Sequence, residues 1–243
     1  MVLLMAGASV AYASHSWGGY HWPRTANPFT VKLGDNVTSQ WDSNLNVAAS
    51  DWTLSSVLNT NVIASNAGKN CRTTLGRVEV CNSKYGNNGW LGIASIWVSG
   101  NHITKGTVKL NDTYFSKPAY NTPQWRQLVM CQEIGHTFGL DHQDENFTNL
   151  NLGTCMDYTN NPGANQHPNA HDFEQLEYIY AHLDSQTVAG QNVSSKNSAS
   201  DTDENNLSDW GREVRKSKDG KTSLFEKDLG KGNKIFTFVI WTQ

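Results

Sequence analysis

An α+β domain is what the sequence predicts. Three observations carry the prediction: a period-two apolar stretch near residue 30, three amphipathic segments with helix-start chemistry, and short β-branched or aromatic runs between and after them. The 243 residues are 37% hydrophobic and include nine Trp, enough for one core of ordinary size plus a small appendage. Only 17% are charged, and a formal net charge of −3 gives no electrostatic ground for a nucleic-acid partner. No run of 18 apolar residues occurs, so no membrane span is expected.

The first segment, 1–13, is apolar and ends on Ala11-Tyr12-Ala13. That small-x-small pattern predicts a signal peptide and a mature start near Ser14, although the basic n-region is missing. Export would place Cys71, Cys81, Cys131 and Cys155 in an oxidising compartment, where an even count predicts two disulfides with three possible pairings. Phe29, Val31 and Leu33 alternate as in a half-buried strand. Thr38 reads as the N-cap of a helix whose apolar stripe is Trp41, Leu45, Ala48, Ala49 and Trp52. Strand-like pieces follow near 57–64, 77–81, 91–98 and 107–110. A second helix starts with Thr122 as N-cap and Pro123 at its first position, runs through Trp125, Leu128, Val129 and Ile134, and stops at Gly139. Residues 146–168 are loop-rich. A third helix starts near Asn169 with Asp172 in its first turn and the stripe Phe173, Leu176, Tyr180 and Leu183.

The main domain is thus expected over 14–184, with a polar linker or loop at 185–208. Segment 209–243 carries eight Lys+Arg against five Asp+Glu, net +3, whereas the rest holds 11 against 17, net −6. Asp219-Gly220 is a hairpin signal and 235–241 an apolar strand. A piece this small lacks a core of its own and is expected to pack on the main domain.

The second helix ends Cys131-Gln132-Glu133-Ile134-Gly135-His136-Thr137-Phe138-Gly139-Leu140-Asp141-His142. Positions 132 and 136 lie four apart, so both side chains leave one helix face towards one point. Gly139 lets the chain turn so that His142 returns to that point, and Glu133 stands beside it as a potential base. Glu133, His136, Gly139 and His142 have the spacing of the motif His-Glu-x-x-His-x-x-Gly-x-x-His, and in this the chain resembles the metzincin zinc metallopeptidases. Gly153-Thr154-Cys155-Met156-Asp157-Tyr158 resembles their Met-turn, in the Met-x-Tyr form of astacins and serralysins. The resemblance covers roughly 28–184.

It implies a twisted mixed sheet with a long backing helix, an active-site helix at the base of a cleft, and a C-terminal helix. It implies Zn2+ held by His136, His142 and the residue at 132, Glu133 as general base, Met156 beneath the metal, and Tyr158 as oxyanion stabiliser. It also implies that Cys131 and Cys155 both lie near the metal, which favours a Cys131–Cys155 disulfide and leaves Cys71–Cys81 to close a small loop. Strand 91–98 becomes a candidate edge that binds extended substrate by β-augmentation, with an ordinary sheet strand as the plainer reading.

The chain departs from the family at Gln132, where histidine is expected; a neutral amide oxygen is a weaker zinc donor. Cys131 could replace it only if reduced and rotated by about 100° around the helix. His167 and His171 are further candidates, read as surface residues. No cysteine precedes Cys71, so cysteine-switch latency is not expected. Residues 14–28, with His15, Trp17, His21 and Trp22, could pack over the domain or cover the cleft. The function expected is a secreted, monomeric zinc-dependent endopeptidase acting on extended polypeptide. The alternatives are a pseudoprotease that binds through the same cleft, motivated by Gln132, and a surface-binding module suggested by the Trp content and basic tail.

Overall fold

The computed structural model describes residues 15–188 and 207–242. The expected signal peptide at 1–13 and residues 189–206 of the polar stretch lie outside them. In chain order come β1 (Phe29–Asn36), α1 (Asp42–Trp52), β2 (Leu58–Ala64), β3 (Arg77–Ser83), β4 (Trp90–Ser99), β5 (His102–Asn111), the one-turn α2 (Asp112–Phe115), α3 (Pro123–His136), α4 (Ala170–Ile179), β6 (Arg212–Lys216), β7 (Thr222–Gly230) and β8 (Asn233–Trp241). The strands form one mixed sheet in the order β2-β1-β3-β5-β4-β8-β7-β6. The pairings among β2, β1, β3 and β5 are parallel, and the four from β5 outward to β6 are antiparallel.

Period-two alternation distributes β4 and β8 over two cores. Ala94, Ile96, Phe236, Phe238 and Ile240 join the large core shared with α1 and α3. Trp90, Ile93 and Val239 face the other way, into a small core closed by Trp210. Helix α1 buries Leu45, Ala48, Ala49 and Trp52, and the Trp52 indole N–H donates to the Cys131 carbonyl of α3 at 3.1 Å. Cys71–Cys81 ties the turn before β3 to that strand.

Three expectations are corrected. Thr38 does not cap α1: the N-cap is Trp41, which makes no side-chain cap bond, because the Thr38 hydroxyl instead accepts from Asn82 Nδ2 at 3.1 Å. The apolar stripe of α4 stops at Tyr180, whose hydroxyl donates to the Phe138 carbonyl at 2.9 Å; Leu183 lies beyond the helix and is 57% exposed. Strand 91–98 is not an edge. The chain's own β8 pairs with β4 along Trp90–Ser99, because β8 is apolar on both faces and needs cover on both. The actual edges are β2 and β6, and β6, with Arg212, Glu213, Arg215 and Lys216, is charged as exposed edges usually are.

Glu79 of β3 is fully buried. It accepts from Arg77 Nε at 2.6 Å, Ser65 Oγ at 2.7 Å and Asn36 Nδ2 at 2.8 Å. Gly34 on β1 makes the room, since a Cβ there would stand 2.2 Å from Glu79 Oε2. Burial pushes the Glu79 pKa up, but donors from Thr74, Ser65, Asn36 and Arg77 outweigh it and hold it below its ordinary value. A depressed folded pKa stabilises the fold above the unfolded value and loses that effect as pH falls through the folded one. Glu79→Gln is expected to cost about 1–3 kcal/mol at pH 7. In guanidinium unfolding the gap from wild type should narrow below a pH of about 4.

Candidate active site

Thr122 starts α3 as its N-cap, its side chain accepting from the Trp125 N–H at 3.2 Å. From Gln127 to His136 the helix is buried all round, held between α1 and the sheet. It ends at His136, and three tightened turn bonds carry the chain on to Gly139. Only glycine suits that position: φ is +95°, and a Cβ would stand 2.3 Å from the Tyr20 carbonyl oxygen. The chain then doubles back and brings His142 to His136.

The two imidazoles meet with Nε2 to Nε2 at 3.0 Å. His136 Nδ1 lies 2.9 Å from the Leu140 carbonyl, which can only accept, so that nitrogen carries the proton. His142 Nδ1 lies 3.4 Å from a carboxylate oxygen of Asp141 and makes no hydrogen bond among the described residues. With the proton on His142 Nε2, that nitrogen donates to the His136 Nε2 lone pair; with the proton on Nδ1, both Nε2 lone pairs are free for a cation. The 3.0 Å separation is close to the roughly 3.3 Å edge of a tetrahedral zinc site. Burial lowers the pKa of both imidazoles, that of His142 to about 4 despite the opposing effect of Asp141, so both are neutral at neutral pH, as metal ligands must be.

Two further polar groups on this face of α3 lack hydrogen-bond partners among the described residues: Gln132 Nε2 and both carboxyl oxygens of Glu133. Gly92 of β4 leaves the space for Glu133, since a Cβ there would lie 2.6 Å from Glu133 Oε1. Full burial pushes the Glu133 pKa well above its ordinary value. The orphaned carboxyl and the converging imidazoles fit a metal centre with a base beside it, whereas the orphaned atom of Gln132 is its Nε2 donor, which does not ligate a cation.

Met156 is buried directly against α3, and a Cβ on Gly135 would stand 2.6 Å from its sulfur. Two ties hold its turn. The Cys131–Cys155 disulfide joins it to α3, which also removes Cys131 as a metal ligand. Thr154 Oγ1 donates to buried Asp172 in the first turn of α4 and accepts from the Met156 N–H at 3.0 Å. The Tyr158 ring lies 4.0 Å from that of His142 and stacks on Phe147. Its hydroxyl engages Thr222 of β7, and burial raises its pKa. The other two histidines go elsewhere: His167 pairs with Asp51 at 2.7 Å, and His171 faces Glu174.

Sequence reading missed the part of the cover that comes from β6 and β8. Phe238 of β8 stacks on His136, with centroids 4.0 Å apart and planes 6° from parallel. Arg215 of β6 grips both oxygens of Asp141 and reaches Glu145 at 3.3 Å. Trp17 packs edge-on against Phe236 and Phe238, so the N-terminal stretch lies over the domain and roofs Phe238. Gln132, Glu133, His136, His142 and Tyr158 are each at most 8% exposed. Asp141 could have been suspected from its place beside His142, but Phe238 and Arg215 sit in a distant segment with no local signal.

No family model and no curated protein matches this chain. Among solved structures it is similar to one described as "Structure of myroilysin", at 14% identity and a TM-score of 0.42, over 69% of this chain and 98% of that one.

Gly139→Ala combines an unfavourable φ with a backbone clash. It should cost about 1–3 kcal/mol, read as a fall in thermal midpoint. An unchanged midpoint would mean the 137–142 turn is not built as described.

Proposed function

We propose that this chain is a secreted zinc-dependent endopeptidase, held closed by its own C-terminal strands. The observation that carries the reading is the facing pair of Nε2 atoms of His136 and His142, beside the unpaired carboxyl of Glu133. Zinc held by His136, His142 and the Gln132 amide oxygen would polarise a peptide carbonyl and acidify water. Glu133 takes a proton from the attacking water as its oxygen bonds to the carbonyl carbon, then passes that proton to the amine as the C–N bond breaks. The Tyr158 hydroxyl donates to the carbonyl oxygen as negative charge grows on it. The two disulfides are consistent with an extracellular protein, and among the described residues no helix is long and apolar enough to cross a membrane.

An extended polypeptide would pair with the β4 edge, and β8 already occupies it. In this reading the substrate gains the site only as β8 and the Arg215–Asp141 contact give way. The filled edge and Gln132 together favour a second reading, a catalytically silent secreted protein that binds partners through the same fold.

The test is cleavage of a mixed peptide library by the full chain with added zinc. Glu133→Ala should lower the rate by roughly 100-fold or more, and Arg215→Ala, which frees the edge of the cover, should raise it severalfold. No cleavage by wild type or Arg215→Ala, from protein shown to be folded, would sink the peptidase reading and leave the second. Gln132→His should tighten zinc binding in a chelator competition; an unchanged affinity removes Gln132 from the metal. Tyr158→Phe should slow cleavage while zinc is retained.

A further inference from the structure

A separate group of imidazoles lies away from the candidate active site. His21 belongs to the N-terminal stretch, His102 opens β5, and His182 and Asp184 follow α4. Their side chains converge on one carboxylate oxygen. Asp184 Oδ1 lies 3.1 Å from His102 Nε2, 3.5 Å from His21 Nε2 and 3.8 Å from His182 Nε2. His182 Nε2 and His21 Nε2 are 3.2 Å apart. A tetrahedral zinc ion with ordinary bond lengths sets its ligand atoms about 3.3–3.5 Å from one another. The separations among Asp184 Oδ1, His21 Nε2 and His182 Nε2 bracket that edge, whereas His102, bonded to the same Asp184 oxygen, stands outside the set of ligand atoms that lie within 4.8 Å of one another.

The surrounding contacts orient the group as a metal site requires. His21 Nδ1 lies 2.9 Å from the Gly19 carbonyl and so carries the proton, which leaves the Nε2 lone pair facing the cluster. Arg24 Nη1 takes the other Asp184 oxygen, Oδ2, at 2.8 Å, so Oδ1 is the atom presented to the histidines. Backbone bonds fix the approach of His21 to His102: the His21 N–H donates to the Asn101 carbonyl at 3.1 Å, and the His21 carbonyl accepts from Ile103 at 2.7 Å. His21 is buried and the Asp184 side chain is 10% exposed, whereas the His102 and His182 side chains are 30% and 55% exposed, which gives an ion a way in.

We propose that His21, His182 and Asp184 form a site for a tetrahedral divalent cation of the zinc class, with His102 holding the shared Asp184 oxygen from beside it. Two imidazoles and one carboxylate suit zinc and disfavour calcium or magnesium, which take oxygen ligands. Three protein ligands leave the fourth position to water, and a bound ion braces the fold. It joins two pieces distant in sequence, the 15–24 stretch that carries Trp17 and the chain leaving α4, beside the β4–β5 turn. This assignment does not depend on the proposed peptidase function.

The test is the zinc content of the full chain after metal removal and reloading. Wild type is compared with His102→Ala/His182→Ala and with His136→Ala/His142→Ala. The first double variant should lose one equivalent, and the second should keep that equivalent and give the visible absorption of tetrahedral Co2+ when loaded with cobalt. The site is overturned if folded His102→Ala/His182→Ala holds as much zinc as wild type, or if folded His136→Ala/His142→Ala holds none. Wild type alone supplies an independent check should a variant fail to fold. Added zinc should slow modification of His182 by diethyl pyrocarbonate at least tenfold, and equal modification with and without zinc overturns the site.

Discussion

The pairing of β8 with β4 is the interaction on which the rest of the arrangement depends. β4 is buried on both faces, and a strand of that kind needs a hydrogen-bonded neighbour on each side if its backbone groups are to stay satisfied. β5 supplies one neighbour and β8 the other. With β8 in place, β7 and the charged β6 follow as the outer strands, Trp17 gains Phe236 and Phe238 to pack on, and the His136 ring is stacked from above. The sheet extension thus completes the core and covers the candidate site in one act.

Covering has electrostatic consequences. Inside the closed site Glu133 is driven towards its neutral form and both imidazoles are held neutral, because a low-dielectric interior penalises every unpaired charge. The charge that remains nearby is matched: Asp141 faces Arg215, with Glu145 beside it. Within the motif, Gln132 Nε2 and both Glu133 carboxyl oxygens lack hydrogen-bond partners among the described residues, as do Arg126 Nη1 and Gln127 Nε2 earlier in α3.

Much was legible locally. The Thr122-Pro123 start, the capping box of Asn169 and Asp172, the Asp219-Gly220 turn and most strands rest on contacts a few residues long, and the spacing from Gln132 to His142 brings His136 and His142 together through a single turn. Thr38 misled because a hydroxyl before an apolar stripe looks like a cap until Asn82, far along the chain, takes it. Leu183 misled because period alone does not say where a helix stops, and Tyr180 stops it by bonding the Phe138 carbonyl.

By itself the sequence determined the helices, the apolar strands and the cluster of chemistry at 132–142 and 156–158, since each follows from side-chain period, cap chemistry or a short turn. Tertiary structure alone decided which strand lies beside β4, what stacks on His136, and how His21 and His102 come to share Asp184 with His182. Those are choices among distant segments of similar local pattern: 235–241 reads as a strand wherever it pairs, and a lone histidine carries no mark of its partner. Only packing against the whole core, with every buried backbone group satisfied, selects one pairing from the alternatives.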